Sequence, residues 1–152
     1  MRTGVRLGID VGKARIGVAR SDLHGMLATP VETIARATDG TADLDRIVEL
    51  STEFDCVEIV VGLPLSLSGA HTASTDDATG FADRIAEATG RAVRLIDERL
   101  TTVSAQSALH TSGRKVKGSR AVIDQIAAVI LLQHALDSEA STGNPPGTDV
   151  AA

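Results

Sequence analysis

Tryptophan and tyrosine are absent from these 152 residues, and phenylalanine occurs only twice. The core must therefore be aliphatic, built from Val, Ile, Leu and Ala. Without aromatic platforms, base stacking is nearly excluded as a route to a nucleic acid, which leaves phosphates, sugars and shape. The single cysteine, Cys56, rules out an internal disulfide. Its place at the start of an apolar run reads as a small buried thiol. The longest apolar stretch, Ala121 to Leu132, is interrupted by Asp124 and Gln125 and is too short to span a bilayer. The chain enters a strand pattern at once, with no signal-peptide pattern ahead of it. A soluble cytoplasmic protein with no membrane partner is expected. The four histidines, His24, His71, His110 and His134, are scattered and show no zinc spacing.

What is present is unevenly distributed. The formal net charge is −5, which argues weakly against a polyanionic partner. Yet twelve acidic and only three basic residues lie between Glu32 and Glu87, whereas the first twenty residues carry five basic side chains against Asp10 alone. Arg114, Lys115, Lys117 and Arg120 cluster in seven residues without an acid. Such asymmetry gives an acidic protein a basic face, the alternative being a set of solvated loops.

The pattern predicts an α/β protein. Val5–Asp10 and Arg15–Ser21 read as two strands joined at Gly12-Lys13, and Pro30–Ala35 as a third with Pro30 at its first residue. Thr41 is a plausible cap for a helix to about Phe54. Cys56–Val61 reads as a buried strand ending at Gly62. Thr75, Asp76 and Asp77 suggest the start of a helix that closes at Gly90. Ala92–Asp97 is a further strand. A short helix from Thr101 or Thr102 to about His110, a basic loop Thr111–Gly118, and a helix from Arg120 to about Leu136 capped by Ser119 complete the series. Residues 137–152, rich in Ser, Gly, Pro and Ala, read as a disordered tail behind a single domain of residues 1–136. The order β-β-β-α-β-α-β-α-α predicts a mixed five-stranded sheet, an antiparallel meander feeding parallel strands, with flanking helices.

Three carboxylates stand out. Asp10 ends an apolar strand, where a charge costs free energy unless it is hydrated, paired or bound to metal. A turn with Gly12 is the simpler alternative. Asp97 and Glu98 end another strand, and since successive residues face opposite sides, one of them is expected to point at a site. A hydrated end salt-bridged to Arg99 is the alternative. Asp124 shares a helix face with Ala128, Leu131 and Leu132, past the first turn where the helix dipole helps most. An unpaired charge there costs several kcal/mol, on the order of that of a buried ion. Its structural alternative is an ion pair with Arg99 or Arg120. Converging carboxylates suit hard divalent cations, and two such ions roughly 4 Å apart support phosphodiester cleavage.

The segments Leu7-Gly8-Ile9-Asp10-Val11-Gly12 with Arg15-Ile16-Gly17-Val18-Ala19, then Val60-Val61-Gly62-Leu63-Pro64, Asp97-Glu98-Arg99-Leu100-Thr101-Thr102 and Asp124-Gln125-Ile126-Ala127-Ala128 resemble the YqgF (RuvX) family over about residues 5–136. The resemblance implies an RNase H-like fold and a nuclease named either for Holliday junction resolution or for pre-16S rRNA processing. It implies Asp10, Glu98 and Asp124 as catalytic residues and ligands of Mg²⁺ or Mn²⁺, with Glu98 preferred to Asp97 on the resemblance alone. Asp10 is then expected to bridge two ions while water attacks phosphorus in line, leaving a 3′-hydroxyl and a 5′-phosphate. Gly62-Leu63-Pro64 is expected to shape the site floor. Lys13, Arg15, Arg99, Arg114, Lys115, Lys117 and Arg120 are candidate phosphate contacts. The expected partner is nucleic acid, either the 5′ end of pre-16S rRNA or branched DNA. The protein is expected as a monomer or a homodimer, junction cutting favouring the dimer. A non-catalytic scaffold of the same fold, and an ATP-binding protein with a phosphate loop after its first strand, are the rival classes.

Overall fold

The computed structural model describes residues 2–99 and 120–151. Its centre is a six-stranded mixed sheet of β1 (Arg6–Val11), β2 (Arg15–Ser21), β3 (Ala28–Ala35), β4 (Glu58–Leu63), β5 (Ala92–Asp97) and β6 (Thr148–Asp149), in the spatial order β3-β2-β1-β4-β5-β6. The first three strands form the antiparallel meander, and β4 and β5 join β1 in parallel. Among the described residues three helices cover it: α1 (Ala42–Glu53), α2 (Ala73–Thr89) and α3 (Arg120–Thr142).

Alternation along the strands decides which face each helix covers. Leu7, Ile9, Ile16, Val18, Ile59, Val61 and Val93 point to one side and pack with Leu44, Ile47 and Leu50 of α1 and Phe81 and Ile85 of α2. Removing such aliphatic side chains from water stabilises the fold by about 1.5–3 kcal/mol each. The other face carries smaller residues, Gly8, Gly17, Ala19, Val60 and Gly62, and receives α3 through Ala128, Leu131, Leu132 and Ala135.

The small residues let the helix backbone lie almost on the strands. A methyl group at Gly8 would stand 2.8 Å from the Leu132 Cβ and 3.1 Å from the Ala128 carbonyl oxygen. One at Gly17 would overlap the Asp124 carbonyl. Farther along the same face, Arg6 and Glu139 form a buried pair at 3.0 Å, with Arg2 bridging Glu139 to the buried Glu58. That network fixes the far end of α3 against the sheet. Burial works against the Glu139 charge, but hydrogen bonds from Arg2 hold its carboxyl below the usual range.

The structure corrects several expectations. The sheet has six strands, because the segment expected to be a disordered tail continues α3 to Thr142 and then adds β6 antiparallel to β5. The apolar stripe 128-131-132-135 runs on to Glu139, whose partners Arg2 and Arg6 extend the helix beyond Asp137. Arg94 of β5 then donates to the carbonyls of Pro146 and Gly147, and Val150 returns an N–H bond to Val93. This pairing covers part of what would otherwise be an open sheet edge. Strand β3 begins two residues earlier than expected. Pro30 lies within it, opposite Ala19 beside a register shift, a position that edge strands tolerate. Helix α2 also begins two residues early, closed by a reciprocal capping box between Thr72 and Thr75. Thr41 caps α1 without a side-chain bond to its backbone, whereas Gly90, at φ 68°, ends α2 as expected. The predicted helix to His110, the basic loop and the Ser119 cap lie outside the described residues.

Substituting Gly17 by Ala is expected to destabilise the protein by about 2 kcal/mol, within the usual range for overpacking. Gly8→Ala is expected to cost a comparable amount, because the Leu132 Cβ and the Ala128 carbonyl are fixed by the helix backbone and only a shift of α3 can make room. Urea unfolding of both variants checks this, and a Gly17→Ala variant as stable as the parent would contradict the close approach of α3.

Candidate active site

Asp10 is the fifth of the six residues of β1 and pairs with Gly17 of β2. On its other side, β4 places Val61 against Ile9, so that Gly62 is the next residue beside Asp10. Gly62 in turn pairs with Ile96 of β5, and the ladder extends one more step as the Glu98 N–H donates to the Leu63 carbonyl at 3.1 Å. Asp10 and Glu98 therefore leave the same face of the sheet from strands separated by two spacings, roughly 10 Å. What lies between them is a glycine. The Glu98 side chain stretches over Gly62, where a methyl group would overlap its Oε1, and hydrogen-bonds Asp10. The floor role expected for Gly62-Leu63-Pro64 has this physical content: Gly62 supplies the gap, the Leu63 carbonyl anchors Glu98, and the Pro64 carbonyl accepts the Thr75 hydroxyl that starts α2.

Asp124 arrives from above. It lies in the second turn of α3, and its backbone rests on Gly17, next to Asp10. Its carboxylate accepts a hydrogen bond from Arg15 Nε at 2.8 Å. Among the described side chains, the ion pair that the sequence suggested with Arg99 or Arg120 is made by Arg15. Arg15 shares the Gly17 face two residues earlier on β2. Arg99 binds Asp97 instead, at 2.6 Å, and holds that carboxyl below the usual range. Asp97 and Glu98 thereby divide as alternation requires, one paired outward and the other turned to Asp10.

The remaining basic candidates are less concentrated. Lys13 is exposed in the β1–β2 turn, and Arg99 is exposed beyond β5. Arg120 contributes its backbone to the first turn of α3. Arg114, Lys115 and Lys117 lie outside the described residues. A residue that the sequence did not single out, Arg36, braces the turn that carries Asp10 and Arg15. Its guanidinium donates to the Gly12 carbonyl at 2.8 Å, forms two bonds with Asp77 of α2, and lies over the Phe81 ring.

A family model described as RuvX, Holliday junction resolvase, matches residues 4–138. The chain belongs to the RuvX family. With it, the chain belongs to the nucleases. A relative from Clavibacter sepedonicus, provisionally named a pre-16S rRNA nuclease, is 64% identical over 147 residues, covering 97% of this chain and 91% of that protein. One from Leifsonia xyli subsp. xyli with the same name is 62% identical over 150 residues, covering 99% and 96%. Among solved structures, RuvC of T. thermophilus in complex with a Holliday junction substrate matches with a TM-score of 0.60 at 18% identity, covering 93% of this chain and 99% of that one. That likeness places the RuvX chain in the RNase H-like fold.

In this RuvX protein the meeting of Asp10 and Glu98 is electrostatically unfavourable when both are charged. Burial raises the Asp10 carboxyl. The hydrogen bond with Glu98 partly offsets the rise, and the Asp124 charge adds to it. Burial likewise pushes Glu98 up to about 8, helped by the hydrogen bond to Asp10 and by the Asp10 and Asp97 charges. A protonated Glu98 donating to the Asp10 carboxylate agrees with the upward shift of both groups. The signal that was available in the sequence is the pair Gly17 and Gly62. Glycine inside an otherwise β-branched strand marks close approach by another group.

The sign of the pH effect follows. The folded protein holds a proton on Glu98 that the unfolded chain releases above about pH 4.5, so stability is present at low pH and is lost as pH rises toward about 8. Without added metal, stability is expected to fall between pH 5.5 and 7.5 by up to about 1.4 kcal/mol per pH unit, and Glu98→Gln should flatten that fall. Urea titrations of both proteins across this range check it, and equal slopes would contradict the shared proton. Gly62→Ala is expected to stay folded, because the end of the Glu98 side chain can swing away. Its unfolding should nevertheless show the flattened pH slope of Glu98→Gln, because the contact with Asp10 is broken. A slope like that of the parent would contradict this role for Gly62.

Proposed function

We propose that this RuvX nuclease is a divalent-metal-dependent endonuclease that processes the 5′ end of pre-16S rRNA in the cytoplasm. The observation that carries the metal reading is the direct contact of two partly desolvated carboxylates, Asp10 and Glu98, with a third, Asp124, close enough to Asp10 to raise its proton affinity. The donor set is all oxygen, which suits Mg²⁺ or Mn²⁺ rather than a softer metal. The rRNA substrate is supported by the names of relatives that match nearly the whole chain at 64% and 62% identity.

The residues divide the work. Asp10 and Glu98 would hold the metal in place of the proton between them, and Asp124 would complete the set. Among the described residues no group of three such side chains already stands as a metal cage, and the Asp124 carboxylate is held by Arg15. When bound, divalent cations supply activation of water and charge neutralisation at the phosphate. Gly17 and Gly62 keep the floor low enough for all three carboxylates to converge. Lys13, Arg15 and Arg99, with Arg114, Lys115, Lys117 and Arg120 from the basic segment, orient the phosphate backbone. No helix among the described residues is long and apolar enough to cross a membrane.

The description of the matching family favours a second substrate, the four-way DNA junction. Cleavage of precursor 16S rRNA and of a synthetic junction, each with Mg²⁺, Mn²⁺ or EDTA, separates the two. The expected result is rRNA cleavage that EDTA abolishes and that Asp10→Asn lowers by at least about 100-fold, as loss of a metal ligand should. Activity that survives EDTA, or an Asp10→Asn variant as active as the parent, would contradict the mechanism. Cleavage of the junction alone would transfer the substrate assignment to DNA.

A further inference from the structure

The ion pair at the rim of the site has a geometry that an ordinary structural salt bridge does not need. Arg15 and Asp124 come from different elements, 109 residues apart, and meet at 2.8 Å with the side chains 34% and 21% exposed. The pair is therefore neither buried enough to be locked nor exposed enough to be irrelevant. It also adjoins the other two carboxylates. Arg15 lies on the same face of β2 as Gly17, which pairs with Asp10. Three carboxylates gathered in one partly dry place need compensating positive charge. In the protein alone, the guanidinium supplies it at Asp124.

We propose that Arg15 is a built-in substitute for the metal, occupying the Asp124 carboxylate until a divalent cation displaces it, and that the released guanidinium then takes a phosphate of the nucleic acid. This rests on the reading of Asp10, Glu98 and Asp124 as metal ligands. Arg15 holds Oδ2 of Asp124, so a cation that takes this oxygen must displace the guanidinium. Once displaced, the guanidinium sits half-exposed beside the site with its donors unmet, and its planar fork matches a phosphodiester as well as it matches a carboxylate. Metal loading and substrate capture are thereby coupled through one side chain, and the coupling must act in both directions.

Mn²⁺ titration of the full chain, followed calorimetrically, tests the competition. Arg15→Gln is expected to bind Mn²⁺ about two- to fivefold more tightly than the parent, the range expected for removing a partly exposed ion pair. In an Asp124→Asn background the same substitution should change nothing, because the contest for Asp124 no longer exists. Asp10→Asn should lose Mn²⁺ binding altogether. An Arg15→Gln affinity that is unchanged or weaker, or a gain that persists without Asp124, would overturn the inference while leaving the metal site intact, provided Asp10→Asn still fails to bind. A parent that does not bind Mn²⁺, or an Asp10→Asn variant that binds as the parent does, would overturn both. The hand-over to phosphate is read by fluorescence anisotropy of a labelled single-stranded RNA with and without Ca²⁺. The affinity gained on adding Ca²⁺ should be smaller in Arg15→Gln than in the parent, and an equal gain would overturn the hand-over.

Discussion

The active end of the molecule depends on how closely α3 lies against the sheet at Gly17. A helix normally rides above a sheet on a layer of side chains. Here the Asp124 carbonyl occupies the space that a β-carbon of β2 would fill. That contact lowers the second turn of α3 to the level of the strand ends and brings Asp124 beside Asp10. A second gap, at Gly62, lets Glu98 reach across a whole strand to the same point. Glycine weakens a strand, and both are placed where the sheet is otherwise β-branched and well packed. The two openings have a geometric use that accounts for that weakness.

Bringing the carboxylates together creates an electrostatic problem that the protein resolves with what it has. Asp10 and Glu98 hydrogen-bond each other, with burial raising both carboxyls, and Asp124 takes the Arg15 guanidinium. Elsewhere the fold handles charge conventionally. Arg6, Arg2, Glu58 and Glu139 neutralise one another at the far end of the same helix, and Arg36 is held by Asp77 and Asp43. The far cluster is closed, with strong pairing on both sides. The near cluster carries an excess of negative charge that a divalent cation would relieve. Perturbed carboxylates of this kind concentrate at functional sites because function, not stability, sets their placement.

Much of this was legible from residue order. The alternation of Leu7, Ile9 and Val11 against Gly8 and Asp10 defines the strand and its two faces. The β-branched run before Gly62 marks a central strand, and the stripe from Asp124 through Leu132 marks the helix that covers the sheet. The division of labour between Asp97 and Glu98 was not legible, since parity says that they differ but not which one faces inward. That depends on the sheet's packing and on Arg99 lying within reach of Asp97. The partner of Asp124 was missed for a similar reason. Arg99 is nearer in sequence but binds Asp97, and strand pairing brings Arg15 to Asp124. The C-terminal segment was misread because its Ser, Gly and Pro content argues against helix and core. It does not argue against two residues completing a sheet edge, nor against Glu139 finding Arg2 and Arg6.

A divalent cation held by Asp10 and Glu98 would replace the proton between them. Calorimetric titration of Mn²⁺ at pH 7 in buffers of different ionisation enthalpy counts the protons released on binding. Release approaching one proton is expected for the parent protein, and close to none for Glu98→Gln in whatever binding it retains. Binding by the parent without proton release would contradict it.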